Sequence, residues 1–168
     1  MPKLIKNGVL IMSDNWHCID KETSLKKIKP SSENKLLLPI TIWQKNKEIL
    51  AQYKDNIGIW FDSSENPNLL EEDANSFPVI ALNFPVFRDG RAFSYALILR
   101  QQLNYKGDMR AMGDVQKDQA SYMLSCGFSS FLVPEGTDAE VLLTGFHDFS
   151  ENYQSTVTKP TPIFRRRI

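Results

Sequence analysis

Ile57-Gly-Ile-Trp-Phe61 is a short and almost entirely apolar run, and runs of the same kind recur later in the chain. The later runs occupy residues 79–82, 109–112 and 129–133. The segments between them have helical periodicity, and they cover residues 67–75, 89–104 and 115–126. Short apolar strands that alternate with amphipathic helices are typical of βαβ units in a parallel sheet. The pattern therefore predicts an α/β fold.

The number of apolar runs limits the size of the sheet. Four such strands are too few for an eight-stranded βα barrel, so repeated βα units would form a small parallel sheet or an incomplete barrel. Near the N-terminus, Asn7-Gly8 separates two strand-like runs, and this dipeptide favours a tight β-hairpin turn because both residues tolerate positive φ. The sequence predicts an N-terminal β-hairpin and a third strand at residues 16–19.

The domain organisation follows from shifts in composition. Residues 1–20 form the predicted hairpin region, and the polar residues 21–35 form a connector. Residues 36–150 form the α/β domain, which would include a helix at 40–53 after Pro39 and a last helix at 138–150. Residues 151–168 hold two prolines and the triplet Arg165-Arg-Arg167, which predicts an extended, arginine-rich tail.

Composition excludes several functional classes. Lysine plus arginine number 20 and aspartate plus glutamate number 20, so zero net charge gives no general attraction to nucleic acid or to an anionic membrane. No apolar run approaches the roughly 20 residues that span a bilayer. Cys18 and Cys126 are too few for a disulfide framework or a zinc site, and the chain is expected in the cytoplasm with both thiols reduced. Glycine-rich nucleotide fingerprints are missing, so no cofactor is expected.

The candidate site lies at the carboxyl ends of the predicted strands, where ligands bind in parallel sheets. Asp62 and Ser63 follow one strand, and the loop after the next contains Arg88, Asp89 and Arg91. Arginines beside helix N-termini suit a small oxyanion. The structural alternative is that Asp89 caps a helix and pairs with a neighbouring arginine.

A second group of polar residues follows the run at 109–112. Arg110 lies inside a predicted strand and needs a carboxylate, for which Asp114 is the natural partner as well as the N-cap of the next helix. Gln119 falls on the same helical stripe as Val115, Tyr122 and Cys126, so its amide is expected to bond to a loop backbone, Asp114 or Arg110. We expect Asp89, Arg91, Arg110, Asp114 and Gln119 to meet at one edge of the sheet, either as a ligand site or as a structural network.

A compound pattern links these residues to a known family. Its parts are Phe84-Pro-Val-Phe-Arg-Asp-Gly-Arg91, Gly107-Asp-Met-Arg-Ala-Met-Gly-Asp114 and Cys126-Gly-Phe-Ser-Ser-Phe131. The pattern resembles a bacterial family catalogued as domain of unknown function 934, over residues 36–167 and most densely over 84–131. The resemblance implies an association with assimilatory sulfur metabolism, as accessory proteins or oxidoreductases linked to sulfite reduction.

Three functional hypotheses follow. The chain is an accessory protein of sulfite reduction that binds an oxyanion at the strand ends, with sulfite reductase or another sulfur-assimilation enzyme as partner. Alternatively, it is an oxidoreductase or other small-molecule enzyme with an arginine-lined anion site, its electron carrier being held by a partner. The third hypothesis is an interaction module without catalysis, whose docking surface would include Leu97, Ile98 and the tail. An incomplete barrel could also complete its core as a homodimer.

Overall fold

One curled, mostly parallel sheet organises the chain in the computed structural model, which describes residues 3–146, 155–157, 159–161 and 165. Its eight strands are β1 (Leu4–Lys6), β2 (Val9–Ile11), β3 (Trp16–Cys18), β4 (Lys35–Pro39), β5 (Ile57–Phe61), β6 (Val79–Phe84), β7 (Asp108–Gly113) and β8 (Ser130–Leu132). Their order in the sheet is β2-β1-β8-β7-β6-β5-β4-β3. Strands β3 to β8 are parallel, and β1 is antiparallel to β2 and β8. The predicted α/β class is confirmed.

Helical segments connect the parallel strands. The α-helices are α1 (Ile40–Lys45), α2 (Lys47–Leu50), α3 (Arg91–Leu97), α4 (Lys117–Cys126) and α5 (Ala139–Gly145). Segments of 3-10 helix cover Leu25–Lys27, Ala51–Asn56 and Pro67–Ser76, and a π-helical turn, Ile98–Gln102, continues α3. The predicted last helix extends to residue 150, but residues 147–150 lie outside the described chain, as does most of the predicted tail. The described helices include none with the length and apolar character needed to cross a membrane.

The N-terminal hairpin agrees with the sequence. Leu4 pairs with Ile11 and Lys6 with Val9, and the turn residues have positive φ, 51° at Asn7 and 76° at Gly8. The third strand at Trp16–Cys18 is also present. These features were predictable because a two-residue Asn-Gly turn sets the strand register locally.

The segment around Pro39 differs from the prediction. The sequence predicted no strand between residue 20 and Ile57, yet Lys35–Pro39 forms β4 between β3 and β5. Together with β3, which is also parallel, β4 raises the parallel set from the four predicted strands to six. The predicted helix at 40–53 is broken at Asn46, whose φ of −131° is not helical. Its side-chain amide donates to the carbonyl of Ile42 at 2.9 Å, and such local side-chain bonding competes with the helix.

The curl of the sheet follows from a short connection. Strands β2 and β3 lie at opposite edges of the sheet, yet only residues 12–15 join them. Five extended peptide units span at most about 18 Å. A flat sheet of eight strands would separate its edges by about 34 Å, at about 4.8 Å per gap. The sheet therefore bends into a half-barrel, and residues 12–15 cross its opening.

The two faces of the sheet differ in what covers them. Strands β3 to β8 follow one another in the sheet without reversal, so right-handed connections place their helices on one face. The main core lies there and includes Ile59, Ile80 and Phe131. The opposite face, which we call the inner face, carries a smaller apolar cluster of Leu37, Trp60, Val79 and Ala81 with Trp16 and Met112 packed against it.

The helix faces were predicted with mixed success. Ala92, Ala96 and Leu99 are buried on α3 and its continuation, as expected. On α4 the predicted stripe is wrong at Tyr122, whose relative exposure is 57%, because Ala120 and Met123 turn toward the core with Cys126. The helix begins at Lys117 rather than Val115.

An ion pair is buried on the inner face. The Arg110 Nη1 lies 2.5 Å from Asp14 Oδ2, and the two side chains are 2% and 6% exposed. Arg110 also lies 3.7 Å from Asp108 Oδ2, and its Nε donates to Ser130 Oγ at 3.4 Å. The predicted pair between Arg110 and Asp114 is therefore wrong. Arg110 faces inward in mid-strand, and Asp14 reaches it from the segment that crosses the opening.

Replacing Asp14 should destabilise the fold strongly. In Asp14→Ala the buried Arg110 guanidinium loses its closest carboxylate and keeps only that of Asp108, at 3.7 Å. Breaking a buried pair in this way costs up to about 3–5 kcal/mol. Urea unfolding measures this loss. Lys47→Met is the control, because it breaks an ion pair to Asp73 whose lysine is 55% exposed, and such surface pairs contribute about 1 kcal/mol or less. Equal losses in the two variants would contradict a structural role for the Asp14–Arg110 pair.

Candidate functional site

Polar side chains gather at the edge where the parallel strands end, and we call the loops there (residues 62–66, 85–90, 114–116 and 134–138) the rim. Asp62 and Ser63 follow β5, and Asp114 follows β7. The longest of these loops joins β6 to α3 and contains Asp89. Because β5 to β8 are parallel, their carboxyl ends and the following loops share one edge.

Asp89 and Arg91 form a two-point contact at the start of α3. Arg91 Nε donates to Asp89 Oδ1 at 2.9 Å, and Nη2 donates to Oδ2 at 2.6 Å. The Arg91 backbone N–H also donates to Oδ1 at 3.2 Å. The predicted structural alternative is correct in its ion pair, because Asp89 pairs with a nearby arginine. It is wrong in its cap, because the N-cap of α3 is Gly90 rather than Asp89.

Arg91 also joins α3 to the end of β5. Its Nη2 donates to Ser63 Oγ at 3.0 Å, and Tyr95 on the same helix donates to the Ser63 carbonyl at 3.0 Å. The Arg91 guanidinium holds the pKa of the Asp89 carboxyl well below its usual range. An incoming oxyanion would thus compete with Asp89 and Ser63 for Nε and Nη2 of Arg91.

A lysine from the predicted connector completes this side of the rim. Lys21 Nζ lies 3.1 Å from Asp62 Oδ2 and 3.0 Å from Glu65 Oε1. Asn83 donates to Asp62 Oδ1 at 3.2 Å. Partial burial raises the pKa of Asp62, but the hydrogen bonds from Asn83 and Lys21 outweigh it and hold that pKa below its usual value. Sequence reasoning missed Lys21 because nothing local links residue 21 to residue 62.

Asp114 and Gln119 hold one residue of the β6–α3 loop from both sides. The Phe87 N–H donates to Asp114 Oδ2 at 2.8 Å, and Gln119 Nε2 donates to the Phe87 carbonyl at 3.1 Å. Gln116 donates to the other oxygen of Asp114 at 2.8 Å. The backbone of Phe87 is therefore fixed by side chains that belong to the next βα unit.

Two expectations for this pair had different outcomes. Gln119 does bond to a loop backbone, as predicted from its place on a helix that packs against the sheet. Asp114 is not the N-cap of α4, whose N-cap is Gln116. The carboxylate of Asp114 instead turns toward the neighbouring loop, where it accepts from the Phe87 N–H.

The five predicted site residues do not form one cluster. Asp114 and Gln119 meet at Phe87, while Asp89 and Arg91 pair two to four residues further along the same loop and helix. Arg110 lies apart on the inner face with Asp14. It precedes Asp114 by four residues, which is about 13 Å along a strand. The assignment of these residues to ligand binding remains a prediction.

Apolar side chains project from the loop that Asp114 and Gln119 hold. Val86 is 56% exposed, Phe87 is 42% exposed and Tyr122 on α4 is 57% exposed. Tyr122 lies three residues after Gln119, so both point to the same side of the helix. Its ring lies 4.8 Å from that of Phe93, which contacts buried Phe84 at 5.1 Å. We call Val86, Phe87 and Tyr122 the loop patch.

The charges around the loop patch are mainly negative. Among the described residues that follow the carboxyl ends of β5 to β8, acidic side chains outnumber basic ones. The acidic residues are Asp62, Glu65, Asp89, Asp114, Asp118, Glu135 and Asp138, and the basic ones are Arg88, Arg91 and Lys117, with Lys21 added from the connector. The rim is thus an acidic edge on a chain of zero net charge.

The cysteines are not activated. Burial raises the pKa of the Cys18 thiol to about 11, with Asp20 adding to the effect and Arg110 opposing it, although part of the residue is exposed. Burial also raises the pKa of Cys126. Protonated thiols are poor nucleophiles and poor metal ligands. The described residues contain no group of three or more histidine, cysteine, aspartate or glutamate side chains arranged to hold a metal ion.

Removing the Asp114 carboxylate should loosen the loop patch. In Asp114→Ala the Phe87 N–H loses a charge-assisted hydrogen bond worth about 1.5–3 kcal/mol, so its hydrogen exchange should accelerate about tenfold or more. Amide exchange followed by NMR measures this rate. Asp118→Ala on the exposed side of α4 is the control. An unchanged Phe87 rate in Asp114→Ala would contradict the role assigned to Asp114.

The Asp89–Arg91 pair should stabilise the folded protein at neutral pH and lose this effect in acid. The pKa of Asp89 is lower in the folded protein than the ordinary value of about 4, so its contribution is present above pH 4 and lost as pH falls below it. The urea midpoint of Arg91→Gln should therefore lie below that of the wild type at pH 7, and the difference should shrink below pH 4. Arg88→Gln is the matched arginine control, and its urea midpoint should not differ from the wild type in a pH-dependent way. If the difference between Arg91→Gln and the wild type stays constant with pH, the pairing is refuted.

Comparison with known proteins identifies the family. No curated protein and no solved structure matches the chain significantly. Residues 58–164, more than half of the chain, match a family described as bacterial protein of unknown function (DUF934). The matched region begins in β5 and includes the rim, the loop patch and Arg110. The chain therefore belongs to the DUF934 family of bacterial proteins.

Proposed function

We propose that this chain is an accessory protein of sulfite reduction that docks through its loop patch on a sulfur-assimilation enzyme, with sulfite reductase as the first candidate. The choice of enzyme rests on the association implied by the family resemblance. The choice of surface rests on the geometry of the β6–α3 loop. The proposal assigns no catalytic step to the chain itself.

The observation that carries the proposal is an exposed aromatic residue on a fixed backbone. Phe87 exposes its ring while its N–H and carbonyl are held by Asp114 and Gln119. Aromatic anchors contribute much of the affinity at protein interfaces. A loop that is already ordered loses less conformational entropy on binding. The loop patch therefore has the properties of a docking anchor.

The surrounding charge indicates the kind of partner surface. The loop patch is bordered by Asp89, Asp114 and Asp118. Electrostatic complementarity favours a partner with basic side chains around an apolar pocket, and it accelerates association. We therefore expect binding to weaken and its rate to fall as salt rises, because exposed charges are screened over about 8–10 Å at physiological ionic strength.

The rim supports docking better than oxyanion binding. Arg91 uses Nε and Nη2 on Asp89 and Ser63, and the acidic neighbours disfavour a further anion. Leu97 and Ile98, which the sequence placed on a docking surface, are half-buried, and several described apolar residues are more exposed. The loop patch replaces them in the proposal.

Binding to purified sulfite reductase from the same bacterium tests the proposal. The wild-type chain should bind in surface plasmon resonance, and Phe87→Ser should weaken the affinity about 30-fold or more, since anchor truncations cost about 2 kcal/mol or more. The matched control is Val141→Ser on α5, which removes an apolar side chain of similar exposure (51%) that does not belong to the loop patch. It should bind as the wild type does.

Three outcomes would decide against this function. The wild-type chain could show no saturable binding, which would reject the enzyme chosen. Phe87→Ser and Val141→Ser could bind equally well, which would reject the loop patch as the docking surface. Sulfite or sulfate could stabilise the wild type and lose that effect in Arg91→Gln, which would favour an oxyanion site at the rim instead.

A further inference from the structure

A cavity opens at the opposite edge of the sheet from the rim. It has a volume of about 610 Å³ and lies at the amino ends of β7 and β8, beside the β1–β2 turn and the residues Thr156, Val157 and Pro160. This volume is in the range of pockets that hold small molecules. None of the residues singled out from the sequence as site candidates lines it.

The charged side chains that line the cavity are both cationic. They are Arg100 and Lys106, and no acidic residue lines the cavity among those the structure describes. Asn7 and Gln101 add side-chain amides, while Phe128 and Leu124 supply apolar surface. A lining of this kind suits a molecule with an anionic group and an apolar body.

Arg100 carries a partly buried charge, and none of the described carboxylates forms an ion pair with it. Its Nε and Nη2 donate to the Gly127 carbonyl at 3.0 and 2.8 Å, and its Nη1 donates to the carbonyls of Tyr105 and Gly107 at 2.8 and 3.0 Å. All of these acceptors are neutral. A guanidinium has five N–H groups, so one on Nη2 is left without an acceptor among the described residues. Cations buried in proteins are normally paired.

Two backbone features position the Arg100 side chain at the cavity. Arg100 lies in the π-helical turn, where the Leu103 N–H donates to the Ile98 carbonyl at 3.0 Å. Such turns often mark functional sites. Gly127 has a φ of 101°, and a Cβ at this position would lie 2.8 Å from Arg100 Cγ. Glycine therefore permits the close approach that fixes the guanidinium at the wall of the cavity.

We propose that this cavity binds a small molecule with an oxyanion group, such as a phosphate or sulfate ester, through Lys106 and the free N–H of Arg100. The apolar part of the ligand packs against Phe128 and Leu124. The site is separate from the docking surface, because it lies at the amino ends of the strands whereas the loop patch follows their carboxyl ends. Failure of either proposal leaves the other standing.

Titration with inorganic phosphate and phenyl phosphate tests the site, with chloride at equal ionic strength as reference. Both probes should raise the melting temperature saturably, since a ligand that binds only the folded state stabilises it. Phenyl phosphate should bind more tightly because its ring adds apolar contact. In amide NMR spectra the signals of Asn7, Gly127 and Ser129 should move with the same saturation curve, while those of Ser63 and Phe87 at the rim should stay in place.

A pair of lysine variants separates a specific site from general charge effects. Lys106→Gln should weaken phenyl phosphate binding about tenfold through the loss of one charge-assisted contact. Lys45→Gln removes an exposed lysine at the end of α1 and should bind as the wild type does. Neither change touches the carbonyl contacts of Arg100, so both variants should fold.

The proposal is overturned by any of three results. The first is a melting temperature that responds to phosphate and chloride alike. The second is equal affinity in Lys106→Gln and Lys45→Gln. The third is a set of NMR changes that maps to the rim, which would indicate that the anion binds at Arg91 instead.

Discussion

The short connection between β2 and β3 is the constraint on which the architecture depends. Four residues join strands at opposite edges of the sheet, so the sheet cannot be flat. The curl encloses the inner face and removes Arg110 from water. Asp14 sits in that same connection and supplies the carboxylate that Arg110 then requires. The segment that closes the half-barrel therefore also supplies the counter-ion of its buried arginine.

The parallel strands give the molecule two chemically different edges. At their carboxyl ends the loops carry an excess of carboxylates around exposed apolar side chains. At their amino ends Arg100 and Lys106 face a cavity that no described acidic residue lines. Lys6 lies near this end as well, 3.2 Å from Asp108. The zero net charge of the whole chain therefore does not describe the charge of either edge.

Interactions between residues close in sequence were the predictable part of the candidate site. Asp89 and Arg91 are two residues apart, and their pairing follows from spacing at a helix start. The contact of Gln119 with a loop backbone followed from the cost of burying an amide without a partner. Arg110 was assigned the wrong partner because Asp14 is 96 residues away and no local pattern connects them. Arg100 was not among the predicted site residues, since its acceptors are backbone carbonyls that carry no sequence signal.

The sequence by itself determined the α/β class, the Asn7-Gly8 hairpin and most of the parallel strands. Each of these depends on the periodicity of apolar residues or on the φ angles that particular residues allow, and both are local properties. Tertiary structure alone decided the curl of the sheet, the inward position of Arg110 and the cavity beside Arg100. It also decided the hydrogen bonds by which Asp114 and Gln119 fix the backbone of Phe87. These depend on which distant segments become neighbours, and that is set by strand order and chain length between strands rather than by any single stretch of residues.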